Sequence, residues 1–277
     1  MLERYPTPDP TPPTPVRYPS ASPAQPSISA EINVATRKQH TELNRLIIER
    51  LPLALPVRAR GWRRGRSPAL LAQGIVAFAQ IYFQFEGAWS AIECSPEKNE
   101  NGDMVHCLAN LRPRGLERTQ RLRSDLRRLG CSTAPALGRR EPAQTGRLSG
   151  RPHTLIAYAW VMYMAIFSGG RWIRQLLADA GPEFELSFLS FDGDEDGEDL
   201  KRGFKAGLAR AEVLLSPQER QEVVEEAQAL FDRCIALVAV LDRKVRWQYF
   251  RQAAIRGISA TCIMWFLWFL FTDCSRR

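Results

Sequence analysis

The chain has 277 residues, 45% of them hydrophobic, enough for one large domain with a sizeable core. Its six cysteines form no Cys-x-x-Cys pair and no signal peptide precedes them, which speaks against a secreted disulfide scaffold and for reduced thiols in a cytosolic domain. The formal net charge of +8, much of it from arginines at 58–66 and 112–128, suits an acidic partner or an anionic membrane surface. Nucleic acid is not expected, because zinc-finger spacing, RNA-recognition signatures and interleaved basic and aromatic strands are all missing.

Residues 1–30 hold nine of the nineteen prolines, interleaved with Ser and Thr, and read as a disordered, Pro-rich tail. Ser29 is placed to cap a helix from Glu31 to about Arg50, which Pro52 and Pro56 then end. A basic loop leads to Ser67-Pro68 and a helix over 68–93 that is apolar on most faces, so its aromatics belong to the core. After a polar loop at 95–103, Leu116, Leu122, Leu126 and Leu129 form one buried stripe on an arginine-rich surface helix. The Gly- and Pro-rich stretch 135–152 is an exposed connection. Phe184–Phe191 is the one short segment with a strand-like alternation.

Asp192-Gly-Asp194-Glu-Asp196-Gly197 begins like a calcium loop, but its twelfth position is Gly203 where a bidentate glutamate is required, so an acidic surface loop is expected. Helices over 199–215 and 216–246 follow, the second opened by Ser216-Pro217-Gln218-Glu219 with Ser216 as cap and Glu219 at the third helical position. The uncharged run Gly257–Phe271 rises about 22 Å as a helix against a bilayer core of about 30 Å. Extended by Ala253 and Ala254 and flanked by the basic stretch 243–256, it is expected to be a transmembrane anchor over 253–272, with the main domain on the cytosolic side. His106, just after the polar loop, and His153, at a helix start, have surface explanations.

Two stretches carry the chemistry. Ala35-Thr36-Arg37-Lys38-Gln39-His40-Thr41 is helical, and Asn33, Arg37, His40, Asn44 and Ile47 recur at three- and four-residue steps, so an imidazole shares a stripe with a cation and a carboxamide. Far along the chain, a long apolar helix over 153–180 is interrupted by Ser168-Gly169-Gly170. Paired glycines in a helix cost about 1 kcal/mol each relative to alanine. Two readings offset that cost: a helix crossing at small residues, or a backbone that a flat partner approaches closely.

Together these stretches resemble the heme oxygenase family, in which an Ala-Thr-(Lys/Arg)-x-x-His-Thr run carries the proximal iron ligand and a Ser-Gly-Gly helix passes over the other heme face. The resemblance runs from about Glu31 to Leu241. It implies an all-α, multihelical single domain over 31–246, with heme as substrate and cofactor and His40 as iron ligand. Arg37 and Lys205 would face the propionates, Asn44 would accept from the second imidazole nitrogen, and Gly169 and Gly170 would lie over bound oxygen. Electrons would come from a separate NADPH-dependent reductase such as cytochrome P450 reductase, with biliverdin, iron and carbon monoxide as products, at the endoplasmic reticulum membrane.

Two positions depart from the family pattern. Ala209 stands where a second basic residue is expected one turn after Lys205, leaving Lys201 or Arg202 to compensate. The usual Gly-Asp before Ser-Gly-Gly is Ala165-Ile166, and an isoleucine can neither hold a water nor shuttle a proton. Tyr163 or Ser168 would have to replace that aspartate in catalysis. The alternative is a membrane-anchored heme-binding or interaction protein that has lost efficient turnover on the same scaffold.

Overall fold

The computed structural model describes residues 25–51, 55, 57–59, 62–64, 68–94, 102–131, 148 and 150–274; the side chains of 57–70, 245 and 248–274 fall outside that description. The described helices are α1 (Ile28–Ala35), α2 (Arg37–Arg50), α3 (Pro68–Cys94), α4 (Gly102–Ala109), α5 (Thr119–Arg128), α6 (Leu155–Ala165), α7 (Arg171–Ala180), α8 (Glu198–Ala211) and α9 (Pro217–Cys274). A π turn, Ile166–Gly170, joins α6 to α7. The fold is all-α, as expected, apart from one antiparallel ribbon that pairs Val57–Ala59 with Trp62–Arg64 inside the basic loop.

Helix α6 is central. Leu155 to Tyr163 are all buried, and a helix apolar on every face must be covered on every face. Helices α3 and α9 pack against it, and α9 also holds α1 and α2. The start of α9 follows its sequence: Ser216 Oγ accepts from Glu219 N (3.3 Å) while Glu219 Oε2 accepts from Ser216 N (2.9 Å), a reciprocal cap.

The N-terminal helix begins earlier than its sequence suggests, and it breaks. Ser27, not Ser29, is the cap, accepting from Ala30 N at 3.3 Å, and Ser29 Oγ hydrogen-bonds Ser27 Oγ instead. Ile28 and Ile32, one turn apart, are fully buried, so core packing draws residues 28–30 out of the expected tail. Glu212 accepts from Ile28 N at 2.7 Å, and Arg220 donates to Pro26 O and Glu31. Thr36 divides α1 from α2: buried, it donates from Oγ1 to Ile32 O at 2.7 Å, a back-bond that bends helices. Residues 1–24 of the expected tail lie outside the described residues.

Three other expectations change. Gly102–Ala109 is helical although its first residues read as loop, because Met104, Val105 and Leu108 form a buried face against α3. The segment 184–191 forms 3-10 turns in place of a strand. Buried Asp125 draws it in, accepting from Ser187 N (3.0 Å), Ser187 Oγ (2.8 Å) and Phe188 N (2.9 Å). His153 is buried, with Nε2 2.9 Å from Glu222, and ties the start of α6 to the first turns of α9.

The acidic loop is consumed by arginines. Arg174 holds Asp196 through two bonds of 2.7 and 2.6 Å, Arg171 holds Glu198 at 2.7 Å, and Arg121 and Arg202 hold Asp192 and Glu195. The guanidinium of Arg174 keeps the Asp196 carboxyl below the usual carboxylate range. No cluster among the described residues is suited to a metal ion. Gly197 caps α8 at φ +80°, and a Cβ there would meet Phe191 Cγ at 2.5 Å. Left-handed backbone and overpacking each cost about 1–3 kcal/mol, so Gly197→Ala is expected to lower stability by about 2–4 kcal/mol, read from the urea midpoint.

Helix α9 continues through the segment expected to be a transmembrane anchor and ends at Cys274. The side chains of 253–272 lie outside the described residues, and among the described residues no helix is long and apolar enough to cross a membrane. The transmembrane expectation therefore has no support in the described fold. The uncharged run itself, at fifteen residues, is shorter than a bilayer core.

Candidate functional site

A cavity of about 1270 Å³ opens between the helices. That exceeds the range of about 300–1,000 Å³ usual for small-molecule sites, so the ligand it suits is large. Asn33, Arg37, His40, Thr41 and Asn44 of α1 and α2 line it, and the α6–α7 junction supplies Ala165, Ile166, Ser168, Gly169 and Gly170. Helix α8 adds Lys205 and Ala209, α9 adds Phe231, Cys234 and Val238, and α3 adds Phe78 and Tyr82. The tertiary fold thus brings together residues more than 120 positions apart. Of the residues expected at a site, Tyr163 and the two compensating cations Lys201 and Arg202 are not walls of this cavity.

His40 is exposed on α2. Its ring meets Phe231 edge-on, with centroids 5.7 Å apart, and makes no hydrogen bond with any described residue. Asn44 is one turn on, but no hydrogen bond joins it to His40. Arg37 and Lys205 enter no ion pair with the described residues, whereas Arg50, also at the cavity, pairs with Asp242 at 3.3 Å. Lys201 and Arg202 do not stand in for the missing second cation: they pair with Glu198 and Glu195 beside the acidic start of α8 and are not cavity walls.

The glycine pair sits in the π turn, a helix irregularity that recurs at functional sites. A Cβ on Gly169 would meet nothing within 4 Å, so this backbone is bare toward the cavity; one on Gly170 would meet Ile166 and Leu189 at 3.3 and 3.4 Å. Ser168 spends its hydroxyl proton on Met164 O at 2.8 Å. Ile166 is buried. Tyr163 is fully buried behind the wall and donates to Glu86 at 2.9 Å, and burial pushes its phenol well above the usual range. Tyr82 donates to Met162 O at 2.8 Å. Burial pushes the Cys234 thiol up to about 12, so it faces the cavity as a neutral thiol.

Phe231 and Cys234 were not singled out in the sequence. Val223, Ala227, Leu230, Phe231, Cys234 and Val238 form one apolar stripe of α9, and periodicity marks such a stripe as buried without saying what it covers.

Among the described residues, a ring nitrogen without a hydrogen-bond partner, an apolar wall, a bare glycine and two cations without ion pairs fit a large flat ligand that carries carboxylates and a metal. The class these observations define is an all-helical domain built around one large cavity. The chain belongs to the heme oxygenase family, whose family model matches residues 26–240.

Among solved structures, the chain is similar to heme oxygenase 2 from Chlamydomonas reinhardtii without heme, at 19% identity and a TM-score of 0.60, with 78% of this chain and 98% of that one covered. It is also similar to heme oxygenase from Leptospira interrogans, at 20% identity and a TM-score of 0.57, covering 76% and 98%. A third likeness is to heme oxygenase-2 from Synechocystis in complex with heme and NO, at 15% identity and a TM-score of 0.59, covering 80% and 88%. At such identities the likeness shows the fold alone. No curated protein matches the chain.

Proposed function

We propose that the chain binds heme in this cavity with His40 as the iron ligand and opens the ring oxidatively to biliverdin, iron and carbon monoxide. The observation that carries the reading is His40 itself, whose unbonded ring shares one cavity with Gly169, Gly170, Arg37 and Lys205. A neutral imidazole nitrogen is a strong iron ligand, and its second nitrogen usually takes a polar partner, the role Asn44 would fill. Arg37 and Lys205 would hold the two carboxylates. The bare backbone at Gly169 would let the ring approach. Bound there, heme would supply the iron at which dioxygen reacts, with electrons from a separate NADPH-dependent reductase such as cytochrome P450 reductase.

A second reading is favoured by the α6–α7 wall. Ile166 offers no proton, Ser168 has given its own to Met164, and Tyr163 points to Glu86. Neither replacement for the family's aspartate is therefore ready to deliver a proton, and the protein would hold heme with slow turnover. The full chain, given hemin, cytochrome P450 reductase and NADPH, separates the two: free biliverdin supports the enzyme, a stable histidine-ligated spectrum supports the binding protein, and no heme spectrum removes both. Ile166→Asp is expected to raise biliverdin yield at least several-fold with little change in hemin affinity, because the carboxylate acts on the reacting oxygen and not on the iron–nitrogen bond. An unchanged yield would mean that Ile166 does not limit turnover.

We extend the proposal to location: the domain works on the cytosolic side of the endoplasmic reticulum membrane, held by the apolar end of α9. The basic stretch 243–256 supports this, since anionic leaflets attract such flanks. Deleting residues 253–277 is expected to move the protein from the membrane to the soluble fraction. Retention after that deletion would assign the attachment to another surface.

A further inference from the structure

Behind the α3 wall of the cavity lies a pair of tyrosines in very different settings. Tyr82 is a wall residue. Its ring centroid is 6.5 Å from that of Tyr163, and Phe85 lies 5.6 Å from the first and 5.3 Å from the second. Electrons cross such ring-to-ring distances readily. A phenol gives up an electron easily only when its proton can leave with it, because a phenol radical cation is a strong acid. Tyr82 has no base, for its hydroxyl faces the backbone carbonyl of Met162. Tyr163 has one, the carboxylate of Glu86 at 2.9 Å, with both residues buried.

We propose that Tyr163 is a one-electron donor to a ligand oxidised in the cavity, with Tyr82 as the relay and Glu86 as the proton acceptor. The proposal rests on the reading of the cavity as a heme site and names hydrogen peroxide as the oxidant. With heme held in the cavity, peroxide would take two electrons from it and, with two solvent protons, leave as two waters. The O–H bond of Tyr163 then breaks: one electron passes through Tyr82 and reduces the oxidised heme by one equivalent. The proton bonds to Glu86 Oε1, leaving a neutral phenoxyl radical on Tyr163 and a carboxylic acid on Glu86. The route diverts oxidising equivalents from a ring whose α6–α7 wall lacks a proton-delivering side chain.

Tyr158 is the competing terminus, since it donates to Glu226 at 2.9 Å. It lies one ring further from Tyr82, 5.9 Å beyond Phe85. The Arg233 guanidinium lies 5.9 Å over its ring and donates to its oxygen at 3.0 Å, which opposes removal of an electron. Cations act on Tyr163 as well: Arg112, stacked 5.6 Å over Trp89 and 2.9 Å from Glu93, favours the ionised phenol against burial and Glu86, and Arg118 is close by. The shorter ring path from Tyr82 is therefore what favours Tyr163 over Tyr158.

The test uses the full chain in detergent, titrated first with hemin. Absence of a histidine-ligated spectrum would sink the heme reading itself. With heme bound, one equivalent of hydrogen peroxide followed by rapid freezing is expected to give a tyrosyl radical by electron paramagnetic resonance. Tyr163→Phe should reduce that signal at least tenfold, Tyr82→Phe should slow its appearance, and Tyr158→Phe should leave it unchanged. Should Tyr163→Phe fail to bind heme, Glu86→Gln replaces it. Glutamine accepts no proton, so the signal is again lost while the heme spectrum stays. A heme-loaded protein with no tyrosyl radical, or with one that survives Tyr163→Phe or disappears in Tyr158→Phe, overturns the proposal.

Discussion

Replacing His40 with alanine is expected to abolish the histidine-ligated heme spectrum completely, and excess imidazole is expected to restore it. Of the three histidines, all among the described residues, only His40 lines the cavity. His106 is exposed on α4, 3.5 Å from the Asn110 carboxamide, and His153 is locked between Glu222 at 2.9 Å and Glu219 at 3.6 Å. Neither can reach the cavity without unfolding an element. His40, by contrast, packs only edge-on to Phe231, so its removal leaves space for a free imidazole and disturbs no hydrogen bond of its ring. A spectrum that survives His40→Ala would end the assignment of the ligand. A spectrum lost but not rescued would mean that the substitution collapses the site.

Glu86→Ala is expected to cost about 3–5 kcal/mol and to lower Tm by roughly 10 °C, the largest stability loss of any single change considered. Glu86 is 3% exposed and accepts from Arg118 N (2.8 Å), Thr119 N (2.8 Å) and Tyr163 OH (2.9 Å). Each buried donor left without an acceptor costs about 1–3 kcal/mol, and three are orphaned together. The carboxylate also lies near Arg118, whose side chain is fully buried and held by Leu116 O and Ser190 O. Removing a buried anion beside a buried cation adds to the loss. Thermal unfolding followed by circular dichroism measures it, and a Tm within 2 °C of the parent would show that water replaces the carboxylate.

Much of the fold was legible in order and period. Leu122 and Leu126 marked the buried side of the arginine-rich α5, although Leu116, also buried, precedes that helix and Leu129 at its end is only half-buried. Ser216 with Glu219 marked the start of α9. Those are local signals, in which a residue's neighbours three or four positions away decide its conformation. The failures share the opposite cause. Thr36 splits one expected helix in two because its hydroxyl bonds back into a buried turn, and residues 28–30 join the domain because Ile28 and Ile32 find a core supplied by distant helices. Asp125 converts a strand-like segment into 3-10 turns from 62 positions away.

The site divides in the same way. The sequence by itself determined an all-helical chain with an imidazole, a cation and a carboxamide on one stripe, and a glycine pair inside an apolar helix, since these depend only on residue identity and spacing. Its motifs also sufficed to name the family. Only the tertiary structure decided that His40, Gly169, Gly170 and Lys205 line one cavity, and that Tyr163 does not. It also decided that Lys201, Arg202 and the acidic loop spend their charge on one another and on nearby arginines. The physical reason is that a helical period fixes which side of a helix a residue occupies, while the partner of that side is chosen by packing and charge pairing among segments far apart in the chain.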